Sequence, residues 1–364
     1  MEVVVTRIAR IILAALPLAW AGTHAQDTSL DSLRLAAENA PLFASHDVVE
    51  ITVEGPLKTI FRERDEESEY HDAVLWYIDD SGERVTLDVG VKTRGKFRLQ
   101  RRICDFPNLR FNFKRGQVEG TLFAGQDRVP VVAHCQDKKD DYEQRTLQEY
   151  LVYRTFNQLS EVSVRVRLAR LTWIDTDEDR DAVTKYGFFL EHFDNTAARN
   201  GWQVLEVPIV PPEQQEQRQL TLFEVFQFMI GNTDFDPFNA AEGENCCHNA
   251  VLVGTMAGPV LPVPYDFDWS GVINAPYARP NPILETRSVR QRRYWGVCRP
   301  VSDFPPVFNV FKDKREAIYD LWRNQEGLEE KRIRESLEYF DEFYEIIDDA
   351  GKAEREIVRM CRGG

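Results

Sequence analysis

The segment "PNLRFNF" (residues 107–113) determines how the first half of the chain is interpreted. Apolar and polar side chains alternate along it with a period of two, which predicts a strand with one buried face. The side chains predicted to be buried are Leu109, Phe111 and Phe113. The segment 48–55 alternates in the same way, and the apolar segments 73–78 and 85–95 flank the turn sequence "DDSG" as in a hairpin. The first half is therefore expected to be rich in strands.

Helical periodicity dominates the second half. One helix is predicted within the strand-rich part, over residues 142–159. After Asp194 the pattern changes, and "LTLFEVFQFMI" (residues 220–230) carries an apolar stripe that ends at Gly231, a typical C-cap residue. Residues 307–361 are also helical in pattern. This order predicts an α+β protein with a strand-rich domain over 26–194 and a helical domain over 195–364.

The composition indicates an exported, acidic protein. The 364 residues include 60 acidic and 45 basic side chains, a net charge of −15, which argues against a nucleic-acid partner. Residues 1–25 combine Arg7 and Arg10 with ten apolar residues and small residues before position 26, as in a cleavable signal peptide. That apolar stretch is too short to span a bilayer, which takes about 20 residues. We therefore expect a secreted or periplasmic protein with no transmembrane segment after cleavage.

Six cysteines support the same compartment. An even number in an oxidising environment predicts up to three disulfides, with fifteen possible pairings. The spacings contain no C-x-x-C motif, so a zinc site is not expected. The adjacent Cys246 and Cys247 are expected to bond to two different partners.

The segment "PVPYDFDWSG" (residues 262–271) places two carboxylates in an apolar run. Acidic side chains are rarely buried unless they are paired or bind a metal. Upstream, Asp234 follows a predicted helix end and Asn249 directly precedes a short predicted strand, while Asp266 follows the next strand. Kinase-type phosphoryl transfer uses this order, because a loop aspartate orients the attacking hydroxyl while an asparagine and a second aspartate hold a metal. In the alternative interpretation, Asp266 and Asp268 cap turns or pair with arginines.

These segments resemble the spore-coat CotH kinase family, a family of atypical secreted protein kinases. "GNTD", "HN" and "YDFDWSG" look like its catalytic loop and metal-binding segment, and "KTRGKFRLQRRICDFPNLRFNF" is similar to its Arg-Gly strand motif. "LQEYLVYRTFNQLSEVSVRVRLARLTWID" is similar to its helix-plus-strand segment, so the resemblance covers roughly residues 48–275. It implies a two-lobed atypical protein-kinase-like fold with a strand-rich N-lobe and a mostly helical C-lobe. It also implies ATP and Mg²⁺ or Mn²⁺ as cofactors.

The resemblance implies a role for each matching residue. Asp234 would be the catalytic base, with Asn249 and Asp266 as metal ligands and Asp268 as a second ligand or an orienting group. Glu149 would be the helix glutamate that orders a phosphate-contacting cation. The candidates for that cation are Arg94, Lys96 and Arg110. Residues 188–194, "FFLEHFD", would contact the adenine, and the acceptor would be a hydroxyl, such as a serine of an exported protein.

Two choices remain open in the sequence. Asn239 stands five residues after Asp234, the usual kinase separation, whereas Asn249 stands fifteen after it. Asn249 is preferred as the metal ligand because a strand begins directly behind it. The basic segment "RSVRQRRYWG" (residues 287–296) is expected to pair with the chain's own carboxylates, with docking of an acidic substrate as the alternative.

Two other functions fit parts of the pattern. One is an exported pseudokinase-like scaffold that binds a partner or a surface polymer of the cell envelope. The other is a glycan hydrolase in which Asp234 and Asp266 act on the substrate. That hydrolase would need sugar-stacking tryptophans in the cleft, for which Trp269 and Trp295 are the candidates.

Overall fold

The structure is a computed structural model. It describes residues 31–65, 67–179, 181–240, 246–255 and 257–363. The predicted signal peptide, residues 1–25, lies outside the described residues. Among the helices that are described, none has the length and apolar character needed to cross a membrane.

Seven strands of the N-terminal part close into a barrel in the order β1-β2-β3-β4-β5-β7-β6. Their bounds are β1 Val49–Gly55, β2 His71–Ile78, β3 Arg84–Thr93, β4 Leu109–Phe113, β5 Arg128–Val132, β6 Val166–Asp175 and β7 Val183–Leu190. Neighbouring strands are antiparallel, apart from β1 and β6, which run parallel with Val49 opposite Ala169. The barrel is therefore mixed, and each of its strands has two neighbours.

The predicted two-lobed, protein-kinase-like fold is wrong. The strands form a closed mixed barrel that is followed by a helical C-terminal region. Closure depends on the parallel pairing of β1 with β6 and on the pairing of β7 with β5. Both pairings join strands that are far apart in the chain. Local alternation predicts single strands and hairpins and carries no information about such pairings, so it could not reveal the barrel.

The strand predicted within residues 107–113 is confirmed as β4, Leu109–Phe113. Its side chains alternate between buried and partly exposed along Leu109–Phe113. Phe111 packs edge-to-face on Trp173 of β6 and Phe189 of β7, with ring centroids 6.3 and 6.0 Å apart. The predicted hairpin is also present, since Ile78 of β2 lies opposite Arg84 of β3. Aromatic rings therefore fill the barrel where three of its strands meet.

The helices lie mostly outside the barrel. Their bounds are α1 Leu57–Ile60, α2 Arg115–Val118, α3 Asp140–Leu159, α4 Phe193–Arg199, α5 Gln217–Ile230, α6 Phe304–Arg323, α7 Glu330–Asp348 and α8 Ala350–Glu356. The predicted helix over 142–159 is α3, which is buried over most of its length. Its Thr155 hydroxyl accepts a hydrogen bond of 3.0 Å from Trp322 of α6. One apolar core therefore joins α3 to the C-terminal helices.

Helix α5 ends as the sequence predicts. Gly231 has φ +67°, the left-handed conformation that glycine adopts without steric cost at a helix C-terminus. The guanidinium of Arg292 donates to the carbonyls of Phe228 and Met229 in the last turn. A separate three-stranded sheet has the order β10-β9-β8; β8 Gln203–Val204 precedes α5, whereas β9 Ala250–Gly254 and β10 Val260–Pro264 follow it.

Three disulfides are present. Cys104 pairs with Cys135 and Cys298 pairs with Cys361, with Cα atoms 4.6 and 4.8 Å apart. Cys246 bonds to Cys247. The expectation that these two adjacent cysteines bond to different partners is wrong, because the other four cysteines pair among themselves.

A glycine at the closure of the barrel has no space for a side chain. A Cβ atom on Gly187 of β7 would lie 2.7 Å from Leu171 Cδ1 and 2.7 Å from the carbonyl oxygen of Val132. We predict that Gly187→Ala lowers the free energy of unfolding by about 1–3 kcal/mol, the usual cost of overpacking. Urea denaturation measures this, with Gly116→Ala as the matched control because a Cβ there meets nothing within 4 Å. If the two variants were equally stable, a Cβ atom at position 187 would not be crowded by Leu171 and Val132.

A buried acid on α5 makes stability depend on pH. Glu224 is 1% exposed and is paired with Arg299, and burial raises its pKa from 4.5 to about 7 despite that guanidinium. Between these two values the folded chain holds a proton that the unfolded chain releases. The contribution of Glu224 to stability is therefore full below about pH 4.5 and is lost as the pH rises towards 7.

We predict that Glu224→Gln removes this pH dependence. When the pH is lowered from 7.5 to 5, the stability of the wild type should rise relative to that of the variant by about 2 kcal/mol, since each unit of pKa difference corresponds to about 1.36 kcal/mol and most of the difference lies within this pH range. Urea titrations of both proteins at the two pH values measure the change. A difference between the two proteins that is the same at both pH values would exclude the titration of Glu224 as its cause.

Candidate functional site

A cavity of about 620 Å³ lies between one end of the barrel and the β9–β10 hairpin. All eight site residues predicted from the sequence line it: Arg94, Lys96, Arg110, Glu149, Asp234, Asn249, Asp266 and Asp268. Its volume falls within the range of small-molecule sites in proteins, about 300–1,000 Å³. Tertiary structure therefore brings together side chains that come from six separate segments of the chain.

The barrel side of the cavity is positively charged. Arg94 directly follows β3, Arg110 lies on β4, and Lys96 follows two residues after Arg94. Burial lowers the pKa of Arg94, the Asp266 carboxylate opposes this effect, and the neighbouring Arg110 adds to it. Two guanidinium groups therefore face the cavity close enough to influence each other, an arrangement that suits an anionic ligand.

The opposite side of the cavity carries Asp234. Its Oδ1 lies 2.9 Å from Nε2 of His248, and its Oδ2 accepts a hydrogen bond of 3.1 Å from Nδ2 of Asn249. The Asp234 amide donates to Oδ1 of Asn232, 2.9 Å away. The hydrogen bond to Asp234 raises the pKa of His248 above the ordinary value for histidine. Asp234 is thus held in one orientation from both sides of its carboxylate.

Asn249 and Asp266 share an unusual backbone conformation. Their φ angles are +52° and +59°, in the left-handed region that non-glycine residues seldom occupy and that asparagine and aspartate tolerate best. They flank the hairpin, since Ala250 of β9 pairs with Pro264 of β10 and the Tyr265 amide donates to the Asn249 carbonyl. The Asp266 amide donates to the Tyr153 hydroxyl, 2.8 Å away. The hairpin therefore places both residues at its end nearest the cavity.

Arg98 is a central residue of the site that the sequence analysis missed. Its Nη2 donates to both carboxylate oxygens of Glu149 at 2.9 Å, and its Nε donates to Oδ2 of Asp268 at 2.9 Å. Nη2 also lies 3.4 Å from Oδ1 of Asp266. Arg98 is 6% exposed and Glu149 is 3% exposed. One guanidinium thus connects the turn after β3, helix α3 and the segment after β10.

Burial controls the charges in this cluster. It raises the pKa of Glu149, of Asp266 and of Asp268, the last to about 6, while Arg98 opposes each rise. Burial lowers the pKa of Arg98, but the Asp268 and Glu149 carboxylates raise it well above its usual value. Burial therefore disfavours the ionised form of all three acids, and the guanidinium of Arg98 favours it.

The arrangement changes two of the predicted contacts. Glu149 binds Arg98 rather than Arg94, Lys96 or Arg110, the three candidates considered from the sequence. Asp268 also binds Arg98, which agrees with the alternative that a residue of this segment pairs with an arginine. No local pattern marks Arg98 among the basic residues 92–102. The one available signal was the excess of buried acids predicted around it.

Of the other residues for which the sequence predicts a role, some line the cavity and others do not. Leu190, Glu191, His192 and Phe193 of the predicted adenine-contacting segment line the cavity, whereas Asn239 is not among the lining residues. The Asn239 side chain instead donates to Asp236. Of the two tryptophans needed for stacking on a glycan, Trp269 lines the cavity, and Trp295 lies under the guanidinium of Arg362.

A metal ion would find one carboxylate and one amide here. The Asp266 side chain is 49% exposed, and Asn249 has its amide oxygen in addition to the Nδ2 that bonds Asp234. Within the described ranges, no group of three or more His, Cys, Asp and Glu side chains is arranged to hold a metal. Mg²⁺ bound with a nucleotide commonly uses only one or two carboxylates, and phosphates and waters complete its shell. The residues present fit that kind of site.

No family model and no curated protein matches this chain. The resemblance to the CotH kinase family therefore remains an expectation that rests on the sequence motifs. What the site can do has to be inferred from its own geometry.

Replacing Arg98 tests how strongly it holds the buried acids. We predict that Arg98→Met lowers the free energy of unfolding by about 3–5 kcal/mol at pH 7.5, because Glu149 and Asp268 lose their cation. Denaturation in urea at this pH measures the change. Arg115→Met is the matched control, because that side chain is 87% exposed, and its effect should be within about 0.5 kcal/mol. A variant at Arg98 as stable as the control would mean that the cluster does not hold these elements together.

Proposed function

We propose that this protein is an exported phosphotransferase that moves the γ-phosphoryl group of ATP to a hydroxyl, with a divalent metal. The observation that carries the proposal is the opposition of charges across one cavity. Arg94 and Arg110 lie on the barrel side, and Asp234 and Asp266 lie on the hairpin side. Phosphoryl transfer is achieved mostly by positioning and by charge neutralisation, and both need this distribution of groups. The barrel does not argue against it, since one chemistry occurs on unrelated folds.

Asp234 would receive the proton of the acceptor hydroxyl. Its two oxygens already interact with His248 and Asn249, but a carboxylate has about four lone-pair positions, so a further hydrogen bond from a hydroxyl can form. The contacts on both sides restrict its rotation. A base held in this way is ready to orient an attacking hydroxyl without losing side-chain entropy in each cycle.

Asn249 and Asp266 would hold Mg²⁺ or Mn²⁺. The metal supplies charge neutralisation at the phosphate oxygens. Burial raises the pKa of Asp266, and Arg98 only partly opposes that rise. Among the described residues, the ion pair that Asp266 makes is the one with Arg98 at 3.4 Å. A metal cation beside the Asp266 carboxylate would favour its ionised form.

Arg94 and Arg110 would contact the phosphates, with Lys96 beside them. Guanidinium groups bind phosphate oxygens through two parallel hydrogen bonds, which gives both charge and orientation. Arg98 is less suited to this task because its Nε and Nη2 already bind carboxylates. In this proposal Arg98 positions Asp266 and Glu149 and does not contact the nucleotide.

The compartment and acceptor form the finer part of the proposal. Disulfides such as Cys104–Cys135 and Cys298–Cys361 form and persist outside the cytosol. Secretion or periplasmic export, directed by residues 1–25, would expose the protein to other exported chains. A serine hydroxyl of such a chain is the acceptor that we propose.

The test is transfer of label from ATP that is labelled on its γ-phosphate. Disulfide-intact protein would be incubated with Mg²⁺ or Mn²⁺, and label would be followed on the protein itself and on serine-containing peptides. We predict that Asp234→Asn and Asp266→Asn each lower the rate by about 100-fold or more. Asp236→Asn is the matched control, because Asp236 accepts a bond from the Phe238 amide and is not among the cavity-lining residues. Its rate should stay near that of the wild type.

A second measurement separates binding from transfer. If no label is transferred but ATP with metal raises the melting temperature of the wild type and not of Asp266→Asn, the protein binds the nucleotide without transferring phosphate. That result would favour the scaffold function. With neither label nor a shift in melting temperature, the proposal of a nucleotide site would be wrong.

A further inference from the structure

A second, smaller groove of about 400 Å³ lies outside the cavity. Its lining residues come from the start of α3 and from residues 274–289. Three of them are arginines: Arg145, Arg279 and Arg287. None of the lining residues is acidic. In a chain with a net charge of −15, this is a local concentration of positive charge.

Two of these arginines have no carboxylate partner in the part of the chain that the structure describes. Arg279 donates only to the carbonyls of Pro276 and Ala278, and no bond of the Arg287 guanidinium is formed there. Both side chains are exposed. Arg145 differs, because it pairs with Asp141 and donates to the carbonyls of Ile273 and Asn274. It thereby fixes the backbone at one side of the groove.

The expectation that the basic segment pairs with the chain's own acids therefore holds only in part. Arg292 pairs with Glu342 at 3.2 Å and also binds the carbonyl of Tyr339. Arg287 and Arg290 are exposed, and Arg290 lies over the ring of Tyr339, 5.0 Å from its centroid. Arg292 thus anchors the segment and leaves its neighbours available for a ligand.

The groove adjoins the segment that carries the proposed base. Asn281, which follows Arg279 closely, donates through Nδ2 to the carbonyl of Thr233, 3.3 Å away. Thr233 directly precedes Asp234. A ligand in the groove would therefore lie beside the segment in which an acceptor hydroxyl would meet Asp234.

We infer that this groove binds an acidic segment of polypeptide, and that the segment carries the hydroxyl which accepts the phosphate. The second half of this inference rests on the proposed function, whereas the binding itself does not. Exposed arginine side chains bind the carboxylates of aspartate and glutamate through charge-assisted hydrogen bonds. Ile283 does not line the groove, but it lies four residues after Arg279 and four before Arg287 in the chain, and its 70% exposed side chain offers an apolar contact for the same segment.

The charge of the whole chain favours a polypeptide over other anionic partners. An anionic bilayer or a nucleic acid carries a high density of negative charge over a large area, and a net charge of −15 would repel it. A short peptide meets only the local field of the groove. Its binding is expected to weaken as salt is added, since exposed charges are screened.

The test is binding of a fluorescent twelve-residue peptide that contains aspartate, glutamate and one serine, measured by anisotropy at low salt. A second peptide carries asparagine and glutamine in place of the acids. We predict that Arg279→Glu with Arg287→Glu weakens binding of the acidic peptide at least tenfold. Arg218→Glu is the matched control, because Arg218 is an exposed arginine that does not line the groove, and it should change binding by less than threefold. Equal binding of the two peptides, or unchanged binding by the double variant, would overturn the inference.

Transfer of phosphate to the same peptides separates this inference from the proposed function. If the wild type phosphorylates both peptides with equal kcat/KM, the protein is a kinase and the acceptor role of the groove is wrong. Binding of the acidic peptide that depends on Arg279 and Arg287 but is followed by no transfer would support the groove and contradict the proposed function. If the wild type prefers the acidic peptide as a substrate, and the double variant loses this preference through a raised KM, the result would support the proposed function and the role of the groove.

Discussion

The site depends on one buried guanidinium. Arg98 holds the carboxylates of Glu149 and Asp268 and lies near that of Asp266. These groups come from the turn after β3, from α3 and from the segment after β10. A buried charge that loses its partners is costly, so the positions of these three elements are coupled. The barrel, the central helix and the hairpin thus meet at a single ionic cluster below the cavity.

The side chains that line the cavity are of two kinds. Some are held in place by ion pairs or hydrogen bonds to other side chains, and others keep more of their surface accessible to a ligand. Arg98 can donate few hydrogen bonds to a ligand, because its Nε and Nη2 already donate to the buried carboxylates of Asp268 and Glu149. Arg94 and Arg110 face the cavity with fewer constraints, and Asp266 keeps about half of its side chain exposed. On the other side, His248 and Asn249 restrain Asp234. Such separation of supporting residues from residues that contact a ligand is what a preorganised site requires.

The backbone contributes to the same arrangement. Asn249 and Asp266 adopt left-handed φ angles at the end of the β9–β10 hairpin, and both residues line the cavity. Residues in this region of φ/ψ space are stabilised by their surroundings and are frequent at functional sites. Here the Asp266 amide donates a hydrogen bond to the hydroxyl of Tyr153, which lies on helix α3. Helix α3 therefore supports the end of the hairpin through Tyr153, in addition to the contact that Arg98 makes with Asp266.

Local sequence patterns predicted single strands and helices, and they predicted residues of the site with the exception of Arg98. Alternation in Leu109–Phe113 and the apolar stripe before Gly231 predicted β4 and α5, because periodicity and capping are properties of neighbouring residues. The motif order also predicted eight residues that line one cavity. Tertiary structure alone decided the closed barrel, the pairing of Cys246 with Cys247, and the choice of Arg98 as the partner of Glu149. The barrel and the contact of Arg98 with Glu149 depend on which distant segments meet, and Cys246 is left to pair with Cys247 because the other four cysteines bond across 31 and 63 residues of sequence. Neither spacing nor composition encodes such long-range contacts locally.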